Sequence, residues 1–400
     1  MNYPEQIRVF LFRARAISLI IQVFFWNNYD TMWIEYLSHF AFIGGTTNLK
    51  IGIIGRPQAG KSTLFQLLTN HEVNGNNKTQ VAVGKVPDHR MEVLTKLHNP
   101  RKVTYATIDF IDVPGFVSGQ NSNGKSFLQS VSDVDALVLV TRAFQSDTVA
   151  SYNGIQPYGD FNEIQQELVV ADWSLLETRL ERLAKQRAKN PQVAEELAVL
   201  EKCQETLEQD LPLRQLELDD DEEKLLRTYD FLTRKPLIVA VNLDEDQMRS
   251  GSYPEQAELE GELARLQLPL IQVSAQIEAE ISELDGEDAR LFMEELGITD
   301  SGIARIARTV YAHLGLISFF TAGEKEVHSW TIKKGDTASR AAGKIHSDIE
   351  RGFIRAEVVS YEDLVQHGNI QTVKENGLFR LEGRDYVVQD GDVITFRFNV

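Results

Sequence analysis

The stretch Leu49 to Asn70, "LKIGIIGRPQAGKSTLFQLLTN", constrains the fold more than any other in the chain. "LKIGIIG" is a continuous apolar run, as a strand buried on both faces requires. "GKSTLFQLLTN" opens a helix. Between them, Gly55-Arg56-Pro57-Gln58-Ala59-Gly60-Lys61-Ser62 fits GxxxxGK[ST] in the strand–turn–helix setting that confirms the pattern. The glycines let backbone N–H groups curl around phosphate oxygens. The helix start adds the positive end of its dipole. Lys61 is expected to reach the β- and γ-phosphates and the Ser62 hydroxyl to ligate Mg²⁺. Gln58, Ala59 and Thr63 complete the predicted phosphate loop, and Lys61 is the one residue expected to act in catalysis.

"YATIDFIDVPG", "DALVLVTRAF", "KPLIVAVNLDED" and "LPLIQVSAQ" read as further strands alternating with helices. That alternation implies an α/β fold with a parallel sheet covered on both faces. Asp112 ends a strand in "IDFIDVPG", placed to hold Mg²⁺ through water. Gly115 can turn its N–H toward a γ-phosphate. Phe116 follows, where many switches of this class place a Gln to orient the attacking water. Phenylalanine cannot do that by hydrogen bonding, so basal turnover is expected to be slow or to depend on a group supplied from elsewhere.

"VNLDED" falls where such folds read the base. Asn242 and Glu245 stand in the Asn-x-x-Asp pattern with Glu for Asp. A guanine-reading Asp accepts from N1–H and the 2-amino group. Glu is one methylene longer, which misplaces that two-point contact and weakens the case for guanine. Adenine stays plausible, a plain strand-end turn is the alternative, and GTP remains possible through Asp244 in a shifted loop; the expected cofactors are ATP, or GTP, with Mg²⁺. Ser274 in "VSAQ" fits the next base-loop element.

About Asp160 to Arg234 interrupts the strand series. Ile164, Leu168, Leu175, Leu176, Leu180 and Leu183 recur at helical spacing, as do Leu197, Leu200, Cys203 and Leu207. With a turn at Asn190-Pro191 they predict an antiparallel helical hairpin. Its tip carries Arg179, Arg182, Lys185, Arg187 and Lys189, either a solvated face or a phosphate-backbone contact, RNA being favoured. The whole chain carries −18, which argues against general nucleic-acid binding and hence against DNA as a partner. One cysteine, Cys203, excludes an internal disulfide and a cysteine-rich zinc site, and suits the cytosol. Cys203 reads as a half-buried helix residue, with a redox-sensitive thiol as the alternative.

The predicted domains are residues 1–48, 49–159, 160–234, 235–315 and 316–400. The first is an extension with the apolar run "RARAISLIIQVFFW". Three readings fit it: a mis-called start ahead of Met32, a membrane-touching amphipathic arm, or a signal segment. The run is too short to span a bilayer. Residues 49–159 and 235–315 form the two parts of a nucleotide-binding domain around the hairpin. Residues 316–400 read as a small α+β module.

From Leu49 to Val400 the chain resembles the YchF-type, Obg-related P-loop ATPase/GTPase family. The resemblance is most specific in "FFTAGEKEVHSWTI", "AAGKIHSDIERGFIRAEVVS" and "YVVQDGDVITFRFNV", similar to that family's C-terminal TGS domain, a β-grasp fold. "LEKCQETLE" and "FLTRKPLIVAVNLDE" match as well. The resemblance implies a Ras-like P-loop domain with an inserted hairpin, ATP preferred over GTP, slow hydrolysis with a hydrophobic residue replacing the catalytic Gln, and association with ribosomes. A cytoplasmic monomer without a membrane partner is the expectation, with bound nucleotide setting the angle between sheet domain, hairpin and TGS domain. Gly55, Gly60, Lys61, Ser62, Asp112, Gly115, Asn242 and Glu245 match the family's positions, and Phe116 its hydrophobic replacement. Three departures mark a divergent branch. Gln58-Ala59 replaces the usual Asn-Val, whose Asn is linked to monovalent-cation activation. The first switch is shortened, leaving Thr79 as the reader of Mg²⁺ or γ-phosphate. The second, "GFVSGQNSNGKSFLQ", is shorter and lacks a His.

Overall fold

The structure, a computed structural model, describes residues 49–71, 79–116, 121–146, 154–184, 191–298 and 300–399. Strands β1 (Lys50–Gly55), β2 (Gln80–Lys85), β4 (Thr107–Asp112), β5 (Ala136–Arg142), β6 (Leu237–Asn242) and β7 (Leu270–Val273) form one sheet in the order β2-β4-β1-β5-β6-β7. All neighbours are parallel except β2, which runs antiparallel to β4. Every residue of β5 and of β6 is buried. This is why "ALVLVTR" and "LIVAVN" show no polar alternation.

Alternate side chains feed two cores. On one face, Ile54, Leu137, Leu139, Val239 and Val241 pack with Phe127 and Val131 of a helix at Asn121–Ser132 and with Phe161, Ile164 and Leu168. On the other, Ile51, Ile53, Val138 and Val140 pack with Leu64, Phe65 and Leu68 of α1 (Lys61–Thr69) and with Ile306 and Val310. Each fully buried residue of this size contributes about 1.5–3 kcal/mol. Strand order reverses at β1, so the crevice beyond its carboxyl end is where ligands bind in sheets of this kind.

Continuing from α1, helix α2 (His89–His98) and strand β3 (Lys102–Thr104) lead into β4, and α3 (Asn121–Ser132) follows it. Helix α4 (Pro157–Ala184) is 28 residues long. It serves two cores: Phe161, Ile164 and Leu168 face the sheet, and Leu176 and Leu183 face α5 (Pro191–Glu208). Leu175 and Leu180 are partly buried against the second core. The single apolar face expected from Ile164 to Leu183 is therefore divided between the sheet and the hairpin. Asp172, 1% exposed, pins α4 at the division. Its carboxylate accepts from Leu232 N (2.7 Å), Thr233 N (2.8 Å) and Thr233 Oγ1 (2.6 Å), immediately before β6. Cys203 is fully buried in the hairpin core, deeper than the sequence suggests. Of the basic tip, Arg179 lies over the Tyr229 ring at 5.3 Å. Lys185, Arg187 and Lys189 lie outside the described residues, as do residues 1–48.

After β6 come α6 (Glu245–Ser250), α7 (Gln256–Arg265), α8 (Ala275–Glu283), which follows β7, and α9 (Gly302–His313). The C-terminal part holds β8 (Leu316–Ala322), β9 (Glu326–Lys333), α10 (Ala338–Ile345), β10 (Phe353–Ser360), α11 (Tyr361–His367), α12 (Ile370–Glu375), β11 (Arg380–Glu382) and β12 (Asp392–Phe398). Their sheet has the order β11-β10-β12-β8-β9-β3. Its last strand comes from inside the first domain: β3 pairs in parallel with β9, Lys102↔Glu326 through Thr104↔His328. Met91 and Leu94 of α2 sit in the core formed by Phe320, Val327, Leu364, Val373 and Val393. Arg90 Nη1 donates to Asp390 Oδ2 at 2.8 Å, and Asp390 Oδ1 accepts from Ser318 N at 2.9 Å. Residues 102–104 thus extend the second sheet, and Met91 and Leu94 pack into its core, although they precede β4 of the first sheet in the chain. No helix among the described residues is long and apolar enough to cross a membrane.

Candidate functional site

The loop 56–60 leaves β1 and enters α1 at the strand-order reversal. Two of its residues adopt the left-handed conformation, Gln58 (φ 65°) and Gly60 (φ 93°). For Gln58 that costs about 1–2 kcal/mol, strain of the kind that functional loops retain. Gly60 has a second constraint: a Cβ there would lie 2.2 Å from Asn242 Nδ2. Ala59 is buried, whereas Gln58, Ser62 and Thr63 are exposed to the crevice side.

Lys61 Nζ donates to Arg56 O at 2.8 Å. The side chain is 7% exposed. Burial lowers its pKa to about 8, with the nearby Asp112 charge opposing. The Ser62 hydroxyl donates to Asp112 Oδ2 at 2.7 Å. Asp112 Oδ1 is buried with no partner, and burial raises this carboxyl's pKa against the Ser62 hydrogen bond and the Lys61 charge. A buried carboxylate oxygen lacking a donor, beside a hydroxyl, fits a hard cation such as Mg²⁺. That ion takes one or two protein oxygens and leaves its other positions to water and phosphate. The described residues hold no cluster of three or more His, Cys, Asp or Glu ligands.

Gly115 lies directly against the phosphate loop: a Cβ on it would be 2.9 Å from Pro57 N and 3.1 Å from Pro57 Cα. Phe116 N donates to Gly55 O at 3.1 Å. The Phe116 ring is 3% exposed and meets Phe127 at 5.2 Å between centroids, so it faces the core. Thr79 is exposed, and its hydroxyl pairs with Ser130 Oγ at 3.0 Å.

Asn242, 3% exposed, braces the site. Its Nδ2 donates to Ala59 O at 3.1 Å, and its Oδ1 accepts from Ala275 N at 3.0 Å. Ser274 caps α8 by accepting from Ile277 N. Asp244 caps α6: Oδ1 accepts from Gln247 N at 2.9 Å, and Oδ2 accepts from Gln145 N at 3.2 Å. That carboxylate is engaged on both oxygens. Glu245 is the first residue of α6, exposed, and pairs with Arg249 at 2.8 Å one turn on. Lys61, Ser62, Asp112, Gly115 and Asn242 are thus linked by contacts around the loop 56–60. Glu245 pairs with Arg249, and Thr79 with Ser130 of α3.

Comparison with known proteins identifies the family. Residues 50–174 match the family described as "50S ribosome-binding GTPase", and residues 316–399 match the YchF-GTPase C-terminal family, described as "Protein of unknown function". The "Ribosome-binding ATPase YchF" of Bacillus subtilis (strain 168) is 42% identical over 366 residues, 88% of this chain and 100% of that protein. The protein of the same name from Escherichia coli O157:H7 is 39% identical over 363 residues, 88% of this chain and 99% of that protein. The solved structure of the Schizosaccharomyces pombe YchF GTPase superposes with a TM-score of 0.79 at 29% identity, covering 88% of this chain and 98% of that one. With relatives matched along their full length in sequence and fold, this chain belongs to the YchF family.

Proposed function

We propose that this protein is an ATP-binding, slowly hydrolysing nucleotide switch that acts in the cytoplasm as a monomer and docks on the ribosome. The observation that carries the reading is the cluster of Lys61, Ser62 and Asp112 at the end of β1, with Asp112 Oδ1 left without a donor. On binding, Lys61 exchanges Arg56 O for phosphate oxygens. Ser62 and Asp112 would hold Mg²⁺, with Thr79 joining them if it left Ser130, and the Gly115 N–H would meet the γ-phosphate. The metal's part is to neutralise charge on the β- and γ-oxygens. Gly55, Gln58, Ala59, Gly60 and Thr63 line the phosphates, with Asn242 holding the loop to the base side.

Adenine over guanine is supported by Asp244, which is committed to capping α6, and by the longer side chain of Glu245, which pairs with Arg249. Slow hydrolysis is supported by Phe116, whose ring is in the core and cannot orient a water. The ribosome as partner is supported by the names of the relatives and by the basic residues at the hairpin tip. The test is cosedimentation with ribosomes. Nucleotide-dependent association, lost in Lys61→Ala, supports the switch. Equal association with and without ATP, and in Lys61→Ala, overturns it.

The burial of Phe116 also favours a second reading, a scaffold that keeps nucleotide as a structural ligand. A single-turnover assay showing Lys61-dependent cleavage of ATP rejects it.

A further inference from the structure

The phosphate loop touches two other segments at adjacent residues. Pro57 lies against Gly115 in the Asp-x-Pro-Gly turn. Arg56, one residue earlier, reaches the opposite way. Its guanidinium pairs with Glu163 and with Asp160 (3.4 Å) in the first two turns of α4. These side chains are mostly withdrawn from solvent, Arg56 being 13% exposed and Asp160 15%. The same helix end is held by Glu255, whose Oε2 accepts from Tyr158 N (2.9 Å) and Gly159 N (3.1 Å). Arg142 at the end of β5 adds a second positive charge near Asp160. Meanwhile the Arg56 carbonyl holds Lys61. One residue therefore joins the ammonium that must move onto phosphate to the helix that becomes the hairpin.

From this geometry we infer that Arg56 is a positioning residue that couples the triphosphate to the hairpin arm. The inference rests on the proposed binding of a nucleoside triphosphate at this site and extends it to regulation. Lys61 Nζ leaves Arg56 O when it binds phosphate, and Gly115 presses on Pro57 when the γ-phosphate is present. Both changes act on the backbone of residues 56–57. The Arg56 side chain, clamped to Asp160 and Glu163, passes them to α4. Farther along, Asp172 fixes α4 to the residues before β6, so a shift of its first turns becomes a tilt of the segment beyond, Trp173 to Ala184. Such coupling is a free energy, and it is measured as one.

The experiment is hydrogen exchange of peptides from α4 and α5 in the full-length chain, with and without saturating Mg²⁺-ATP. The variants are Arg56→Ala, Arg56→Lys, Glu163→Gln and the double variant Arg56→Ala/Glu163→Gln. ATP affinity is measured in parallel. In wild type, ATP is expected to change exchange in 157–184 by on the order of 5-fold, the low end of typical coupling. Arg56→Ala should abolish that change when wild type and variant are compared at ATP concentrations that saturate each. Glu163→Gln should weaken it, the double variant should add nothing to Arg56→Ala, and Arg56→Lys should restore it in part. An ATP response in α4 that is the same in wild type and Arg56→Ala overturns the inference. So does a wild type that binds ATP without any response in α4. Absence of ATP binding to the wild type would instead refute the underlying reading of the site.

Discussion

Replacing Asn242 with alanine should be costly, and the size follows from its two contacts. Nδ2 donates to Ala59 O and Oδ1 accepts from Ala275 N, at a site 3% exposed. Truncation leaves one buried acceptor and one buried donor unpaired. Each costs about 1–3 kcal/mol when no substitute partner exists. Water entering from the crevice can relieve part of this, so a loss of about 2–4 kcal/mol is expected. Asn242→Asp should be no milder. It keeps the bond from Ala275 N but sets a carboxylate oxygen against Ala59 O. Thermal shifts are an insensitive readout, because a chain of 400 residues moves its Tm by only about 1–2 °C per kcal/mol. Urea unfolding is the better assay, with circular dichroism and tryptophan fluorescence compared so that any departure from two-state behaviour shows. Nucleotide affinity should fall alongside, since Ala59 belongs to the phosphate loop. A change below about 0.5 kcal/mol in both variants would refute the reasoning that Asn242 is a structural brace.

Three further outcomes follow from the site and its surroundings. Lys61 titrates near 8 in the fold against 10.5 when unfolded, so the unfolded chain binds more protons between these values and stability should rise with pH there. Phosphate binding restores the ammonium, so ATP affinity should fall above about pH 8, with proton uptake seen by calorimetry in buffers of different ionisation heat. A pH-independent affinity from 7 to 9.5 would contradict this. Gly115→Ala places a methyl against Pro57 N and Cα and should erase discrimination between ATP and ADP, read by competition titration. Cys203 is fully buried and its thiol is raised to about 11, so thiol reagents should label it only in urea; rapid labelling of the native protein would revive a redox role.

The parts of the fold legible in the sequence are those where local chemistry and context agree. The phosphate loop has an obligatory residue pattern between a strand and a helix, and the fully buried strands β5 and β6 read as unbroken apolar runs. The pairing of β3 with β9 was not legible. A three-residue strand with one apolar side chain, Val103, has no periodicity to detect, and its partner is more than two hundred residues away. The division of α4 between two cores was hidden for a related reason: helical spacing shows that a face is apolar, not what covers it. Arg56 was invisible as a functional residue because the loop pattern leaves its position open, and its partners, Asp160 and Glu163, belong to a helix about a hundred residues later. Asp244 and Glu245 were read only as possible base readers. The capping box that occupies Asp244 was signalled by Gln247 three residues on.

The most direct test of the central claim is an equilibrium titration of the purified protein with fluorescent ATP and GTP, each with Mg²⁺, beside Lys61→Ala and Glu245→Asp. The account predicts tighter binding of ATP in the wild type, loss of binding in Lys61→Ala, and a shift toward GTP in Glu245→Asp. Tighter binding of GTP by the wild type, or binding unaffected by Lys61→Ala, would contradict it.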